Sequence, residues 1–161
     1  MKQGTAFTTV DEDVTAYGLL DHRHTPEIEQ TLTTVGAGAA GEAAQLIFTP
    51  HLVPMNRGML ATCYARPTGS TSSEEVLGTL AAAYAEESFV VVDERSPSTK
   101  AALGSNTAHL TARHDERTGW VVAIAAIDNL TKGASGQALQ CANLALGLDE
   151  GLGLSQIGTY P

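Results

Sequence analysis

Apolar and polar residues alternate along the chain in short runs, and the spacing of these runs predicts about five strands and three helices. Strand-like runs of apolar and β-branched residues lie at positions 46–50, 59–65, 89–92, 108–113 and 120–127. Helical spacing together with capping residues predicts helices at positions 26–33, 74–85 and 137–146. Residues 1–14 are polar, acidic and without a clear period, which predicts an arm in front of a single domain.

The order of the predicted elements indicates the fold class. One helix precedes two strands, a second helix follows, and three further strands lead to the last helix. Short loops join neighbouring strands, such as the turn at residues 115–119. This order is typical of an α+β domain with a mixed, mostly antiparallel sheet and helices on one face, and we expect that domain to span residues 15–161.

Charge and composition narrow the function classes. The 161 residues include 9 Lys and Arg against 18 Asp and Glu, and the net charge of −9 argues against binding to nucleic acid or to a membrane surface. No apolar run approaches about 20 residues, and the N-terminus lacks an apolar signal-peptide core. Cys63 and Cys141 lie in apolar stretches, which predicts buried, unpaired thiols in a cytoplasmic protein. Without a Cys-x-x-Cys pair, a structural zinc site is not expected, and the sequence gives no metal ligand set.

Two histidines immediately precede the first predicted helix. His22, Arg23 and His24 stand before Thr25, a suitable N-cap, and before Pro26, which suits the first helical position. A histidine exchanges protons near neutral pH, and an arginine beside a helix N-terminus favours an anion. The cluster is therefore a candidate acid/base site. The alternatives are ordinary surface residues before a cap, or a weak metal site.

Two loops carry further candidate chemistry. Arg57 could bind a carboxylate or a phosphate, or it could be an exposed residue of an ordinary hairpin. The polar, glycine-rich residues 129–136 open the last helix and could cradle an anion, although they match neither the dinucleotide fingerprint nor the Walker pattern. The helix that follows is apolar on more than one face, which predicts contact with something outside this chain.

Four segments carry a family resemblance when they are taken together. They are residues 17–30 with His-Arg-His-Thr-Pro-Glu-Ile-Glu-Gln, residues 48–64, Gly104-Ser105-Asn106, and residues 123–146 with Asp-Asn-Leu-Thr-Lys-Gly-Ala-Ser-Gly-Gln. From about residue 15 to its end, the chain resembles the C-terminal part of N-acetyl-gamma-glutamyl-phosphate reductases of arginine biosynthesis. The resemblance implies a fold like the C-terminal domain of glyceraldehyde-3-phosphate dehydrogenase. It also implies NADPH-dependent reduction of N-acetylglutamyl-5-phosphate to the semialdehyde, with phosphate release.

The resemblance also implies roles for individual residues. In the family, a cysteine forms a thioacyl intermediate and a histidine acts as acid and base. His22 resembles that catalytic histidine. The other implied site residues are Tyr17, His24 and Arg57 for the substrate, and Asn129 and Gly133 for the nicotinamide end of the cofactor.

The chain departs from the family pattern in two respects. It has no glycine-rich Rossmann fingerprint and no Gly-Cys-(Tyr/Phe)-Pro-Thr motif for the nucleophile. Cys63 and Cys141 follow His22 in other contexts, so the nucleophile is not assigned to either of them. We expect NADP to be held mostly by a domain that is not in this chain, and the chain alone to be inactive, as a fragment, a split subunit or a remnant.

Two functional hypotheses follow. In the first, the chain is the catalytic and oligomerisation half of a reductase, with a small-molecule acyl phosphate, an NADP-binding half and a second copy as partners. A sister reductase acting on a carrier-bound aminoadipyl phosphate shares these features. In the second, the chain is a non-catalytic dimerisation or interaction module left from such an enzyme.

Overall fold

The computed structural model describes residues 6–36 and 43–160. The chain forms two compact units, Met1–Met55 and Asn56–Pro161, each with its own small sheet. The sequence suggests an arm over residues 1–14 and one domain over residues 15–161. That division stays a prediction. The two compact units meet instead between Met55 and Asn56.

The first unit is built around one long helix. Its elements are α1 (Phe7–Val10), β1 (Thr15–Ala16), α2 (His24–Gly36) and β2 (His51–Leu52). The strands β1 and β2 pair antiparallel. Residues 43–50 run without regular structure, and the backbone of Ala44 and Leu46 donates to side chains of α2, namely Thr33 Oγ1 at 2.8 Å and Glu29 Oε1 at 3.2 Å. These bonds hold the segment that leads into β2.

The second unit contains a four-stranded sheet. Its elements are β3 (Gly58–Ala65), α3 (Ser73–Ala83), β4 (Val90–Val92), β5 (Ala108–Asp115), β6 (Trp120–Asp128), a π-helical turn (Thr131–Ser135) and α4 (Gly136–Ala145). The strand order is β3-β6-β5-β4, with two antiparallel pairings and one parallel pairing between β4 and β5. A tight turn at Gly119, where φ is +71°, joins β5 to β6. The long β3 is an edge strand.

Local sequence explains where α3 begins and what it covers. Ser72 Oγ accepts from the backbone N–H of Glu75 at 3.1 Å, and Glu75 accepts in return from the backbone of Ser72 at 2.9 Å, which is a complete capping box. The helix packs against β5 and β4. The buried apolar core of this unit consists of Phe89, Ala102, Ala112 and Ala126.

The structure corrects several predicted boundaries. The strand predicted at residues 46–50 is wrong, because pairing begins only after Pro50, at His51, and because residues 44 and 46 donate to α2 instead. The helix predicted at residues 26–33 is α2, which begins at His24. Thr25 therefore lies inside this helix and is not its N-cap. The arm at residues 1–14 contains the short helix α1. The turn Thr131–Ser135 precedes the last helix and was not predicted.

The fold class predicted from the sequence is confirmed. The second unit is α+β, with a mixed, mostly antiparallel sheet and helices. Among the described residues, no helix combines the length and the apolar character that a membrane crossing needs.

Candidate functional site

The first unit brings together three of the predicted site residues, Tyr17, His22 and His24. The rings of Tyr17, His24 and Phe48 surround the His22 ring edge-on, with centroid distances of 5.5, 4.7 and 5.2 Å. Tyr17 directly follows β1, and its backbone N–H donates to the carbonyl of Pro50 at 3.1 Å. His22 itself is half-buried. The predicted grouping of His22 with Tyr17 and His24 is thus seen in the structure, while Phe48 is a neighbour that the sequence did not single out.

One backbone hydrogen bond selects the tautomer of His22. The N–H of His24 donates to His22 Nδ1 at 3.2 Å. A ring nitrogen that accepts a hydrogen bond keeps its lone pair, so the proton of the neutral imidazole is on Nε2. The ring therefore presents Nε2–H, which can donate a proton to an oxygen that develops negative charge.

Gly18 leaves room for the His22 ring. Its φ is +57°, a conformation that glycine adopts at little cost. A Cβ on Gly18 would lie 2.7 Å from His22 Cδ2, closer than two carbons can approach. The loop between β1 and α2 is thus shaped for a histidine ring at this position.

The second unit places Arg57 on a buried carboxylate. Arg57 Nε lies 2.7 Å from Asp128 Oδ2, and Asp128 is fully buried at the end of β6 while Arg57 remains 36 % exposed. Burial raises the pKa of the Asp128 carboxyl. Backbone hydrogen bonds from Gly104, Thr131 and Leu130, together with the Arg57 guanidinium, outweigh burial and lower the pKa to about 2. Asp128 is the ionised partner of Arg57 throughout the neutral range.

Asn129 and Gly133 lie together next to this pair. The backbone N–H of Asn129 donates to the Arg57 carbonyl at 2.7 Å. A Cβ on Gly133 would lie 2.5 Å from Asn129 Oδ1, so only glycine allows the amide to sit there. Asn129 is exposed, and its side chain makes no hydrogen bond within the described residues.

The two cysteines do not behave as the sequence predicted. Cys63 and Cys141 are both exposed, not buried. They lie on β3 and on α4, where exposed apolar side chains include Tyr64 and Leu144. Neither cysteine belongs to the groups described above. In the described part of the chain, no three potential metal-ligating side chains come together.

Comparison with known families decides what kind of chain this is. Residues 1–129 match the family described as "Semialdehyde dehydrogenase, dimerisation domain". The chain belongs to this family. It also matches the C-terminal part of curated N-acetyl-gamma-glutamyl-phosphate reductases, as the resemblance had indicated.

The relatives are similar along nearly the whole of this chain. The Magnetococcus marinus reductase is 44 % identical over 161 residues, covering 99 % of this chain and 45 % of the relative. The Acidothermus cellulolyticus reductase is 50 % identical over 142 residues, covering 87 % of this chain and 40 % of the relative. The Frankia casuarinae reductase is 50 % identical over 151 residues, covering 92 % of this chain and 43 % of the relative. The chain therefore spans somewhat less than half the length of these relatives.

A solved structure shares the fold. Aspartate semialdehyde dehydrogenase II from Vibrio cholerae superposes with a TM-score of 0.52 at 18 % identity, covering 75 % of this chain and 37 % of that chain. At this level of identity, the comparison supports the α+β fold of the semialdehyde dehydrogenase domain and nothing finer.

Proposed function

We propose that this chain is the C-terminal, dimer-forming part of an NADPH-dependent reductase that converts N-acetylglutamyl-5-phosphate to the semialdehyde and phosphate. The observation that carries the proposal is the identity of 44 to 50 % with reductases of that name over most of the chain. The nucleophilic cysteine and most of the NADP site would come from a domain outside this sequence.

His22 is the proposed acid/base residue. Its Nε2–H is the free proton of the neutral ring, because Nδ1 accepts from the His24 backbone. Donation of this proton to the substrate carbonyl oxygen, as negative charge develops there, lowers the barrier. To take up the proton of the nucleophilic thiol, the ring would carry its own proton on Nδ1 instead, with the hydrogen bond from the His24 N–H released and the Nε2 lone pair free.

The remaining site residues are proposed to bind and orient. Tyr17 and His24 pack around the His22 ring and would line the substrate site, and Arg57 would pair with an anionic group of the substrate. Asn129 and Gly133 would receive the nicotinamide end of NADP. The bound cofactor supplies a hydride.

The test is an assay of a complete reductase that contains this segment. With N-acetylglutamyl-5-phosphate, we expect one phosphate released for each NADPH oxidised, and His22→Asn should lower kcat by roughly 10²- to 10⁴-fold. His114→Asn is the matched control, since His114 lies on β5 and has no proposed role in the reaction. Turnover of His22→Asn near that of the wild type would refute the role of His22. Preference for a carrier-bound aminoadipyl phosphate would refute the substrate.

A second copy of the chain is the proposed oligomeric partner. The family is a dimerisation domain. The edge strand β3 is exposed along nearly its whole length and carries apolar side chains such as Met59 (46 % exposed), Leu60 (52 %) and Tyr64 (68 %). An apolar, unpaired strand edge in water is typical of a surface that a partner covers.

The alternative function is a non-catalytic dimerisation module. The same exposed β3 surface favours it, because a second copy could bind this surface without any catalytic reaction. The reductase assay separates the two proposals, since a module without catalysis would dimerise while its complete protein oxidises no NADPH.

A further inference from the structure

The C-terminal segment, residues 155–160, lies along the loop that precedes β5. The backbone N–H of Asn106 donates to the Ser155 carbonyl at 2.8 Å, and the backbone N–H of Thr159 donates to the Leu103 carbonyl at 2.7 Å. Thr159 Oγ1 also donates to the Leu103 carbonyl, at 3.2 Å. The segment is therefore bound to the loop near both of its ends.

This loop contains a tight turn whose central peptide has a defined orientation. Residues 102–105 form the turn, in which the backbone N–H and the Oγ of Ser105 both donate to the Ala102 carbonyl, at 3.1 and 2.9 Å. Gly104 has a φ of +77°, while the φ of Leu103 is negative. This combination is typical of a type II turn, which differs from a type I turn by a flip of the peptide between its two central residues.

Both sides of that central peptide are hydrogen-bonded. Its carbonyl, from Leu103, accepts from Thr159, and its N–H, from Gly104, donates to Asp128 Oδ2 at 2.7 Å. The C=O and the N–H of a trans peptide point in opposite directions. The observed orientation therefore satisfies both hydrogen bonds at once, and a flip would break both. A flip would also turn a carbonyl oxygen towards the fully buried carboxylate of Asp128, which is unfavourable.

We propose that Thr159 is a positioning residue that holds the Gly104 N–H on the Asp128 carboxylate through this one peptide. The C-terminal segment thereby takes part in the group that Asp128 forms with Arg57, and a change at the end of the chain would reach a carboxylate in the interior. The inference goes beyond the proposed function, because it concerns the state of Asp128 and requires no substrate.

The ionisation of Asp128 reports the orientation of the peptide. Among the described residues, the cation that pairs with Asp128 is Arg57, and the N–H groups of Leu130 and Thr131 donate to its Oδ1 at 2.9 and 3.1 Å. These three contacts come from other parts of the chain than the C-terminal segment. Loss of the Gly104 N–H removes one of the donors that hold the pKa of Asp128 at about 2, so a flipped peptide raises that pKa.

The experiment is an acid titration of the 161-residue chain in which NMR follows the carboxyl carbons. Gly104→Ala favours the flipped peptide, because alanine is strained at a φ of +77°. We expect this variant to raise the pKa of Asp128, with a roughly tenfold fall in its acid dissociation constant. Gly119→Ala is the matched control, since Gly119 has a φ of +71° in another turn. It introduces the same kind of strain and should leave the pKa of Asp128 unchanged.

A second pair of variants tests Thr159 itself. Thr159→Pro removes the backbone N–H that holds the peptide, and it should raise the pKa of Asp128 as the glycine variant does. Tyr160→Ala removes the neighbouring ring, which is 55 % exposed, and keeps both donors of Thr159, so it should leave that pKa unchanged. Asp93, which pairs with Arg95 on the exposed surface, is the internal reference, and its pKa should be the same in every variant.

Hydrogen exchange in the wild type at pH 7 gives a readout that needs neither a variant nor acid. If Thr159 holds the peptide, each opening of the C-terminal segment frees the N–H groups of Thr159 and Gly104 together. Their protection factors should then agree within about fivefold. A larger difference would show that one hydrogen bond persists without the other, and it would refute the positioning role.

The titrations can overturn the inference independently. It fails if Thr159→Pro leaves the pKa of Asp128 at the wild-type value, or if Tyr160→Ala or Gly119→Ala raises that pKa as much as Thr159→Pro does. If a variant does not fold, or if the chain unfolds before Asp128 titrates, the protection factors of the wild type decide. A complete protein without reductase activity would refute the proposed function and leave these results unaffected.

Discussion

At the scale of single residues, the candidate groups in each unit depend on a few contacts. A backbone N–H selects the tautomer of His22, and a glycine with positive φ makes room for its ring. In the other unit, a buried carboxylate forms an ion pair with Arg57. In each case, a neighbouring group with no chemical role of its own affects the state or the position of a candidate side chain.

Gly18→Ala should displace the His22 ring without removing any polar or ionisable group. The new Cβ would lie 2.7 Å from His22 Cδ2, and alanine is strained at a φ of +57°. We expect a loss of about 1 kcal/mol in the free energy of unfolding. We also expect a fall in kcat of the complete reductase, because the ring must move. Gly36→Ala is the control, since Gly36 has no atom within 4 Å of its Cβ position, and it should leave kcat unchanged.

The stability of the second unit should depend on the ionisation of Asp128. Its pKa in the folded state, about 2, lies below the ordinary value of 3.8. The ionised Asp128 carboxylate therefore contributes to the free energy of unfolding above pH 4, and this contribution is lost as the pH falls through 2. Urea denaturation followed by Trp120, the only tryptophan of the sequence, should show this loss between pH 4 and pH 2.

The Asp128→Asn variant tests that assignment. It should be less stable than the wild type at pH 7 by about 2 kcal/mol, because a charged acceptor of several hydrogen bonds is removed. Its stability should also depend less on pH below 4. Asp93→Asn should keep most of the wild-type slope, and an unchanged slope in Asp128→Asn would contradict the assignment.

At the scale of elements, the sequence patterns succeeded where caps and turns are local. Ser72 and Glu75 define the start of α3, and the hairpin between β5 and β6 lies where the turn residues predicted it. The pattern was less successful at residues 46–50, where an apolar run suggested a strand. There, the backbone donates to side chains of α2, a partner that no local signal reveals.

Ser72→Ala should measure what the capping box contributes to α3. The variant leaves the backbone N–H of Glu75 without its side-chain acceptor. We expect a loss of about 1 kcal/mol in the free energy of unfolding. Ser70→Ala serves as the comparison, because Ser70 is exposed in the preceding loop and makes no hydrogen bond within the described residues. Equal stability of the two variants would argue against the cap.

At the scale of the whole molecule, the dominant feature is the apolar surface that is exposed among the described residues. On β3, the exposed residues include Met59, Leu60 and Tyr64, and on α4 they include Leu139 and Leu144. The sequence predicted this surplus for the last helix, since that helix is apolar on more than one face. For β3 it predicted a buried strand, because a run of apolar residues does not reveal whether its cover belongs to the same chain.

Leu60→Asp should separate the proposed dimer. Leu60 is 52 % exposed, so the charge adds little strain to a single copy, but it would be buried in an interface that covers β3. We expect sedimentation to show a dimer for the wild type and a shift towards the monomer for the variant, by at least tenfold in the dissociation constant. Val35→Asp, at an exposed position of α2, should leave the dimer intact. A wild-type monomer, or a dimer that tolerates Leu60→Asp, would contradict this interface.

The sequence by itself determined the fold class, most of the elements of the second unit and the family. It did so because alternation, capping and turn residues act over a few positions, and because the four segments are distinctive together. Only the tertiary structure revealed the packing of Phe48 against His22, the pairing of Arg57 with Asp128 and the exposure of β3. The first two are contacts between residues that are far apart in sequence, as is the hydrogen bond from Gly104 to Asp128, and such contacts form only when folding brings separate segments together.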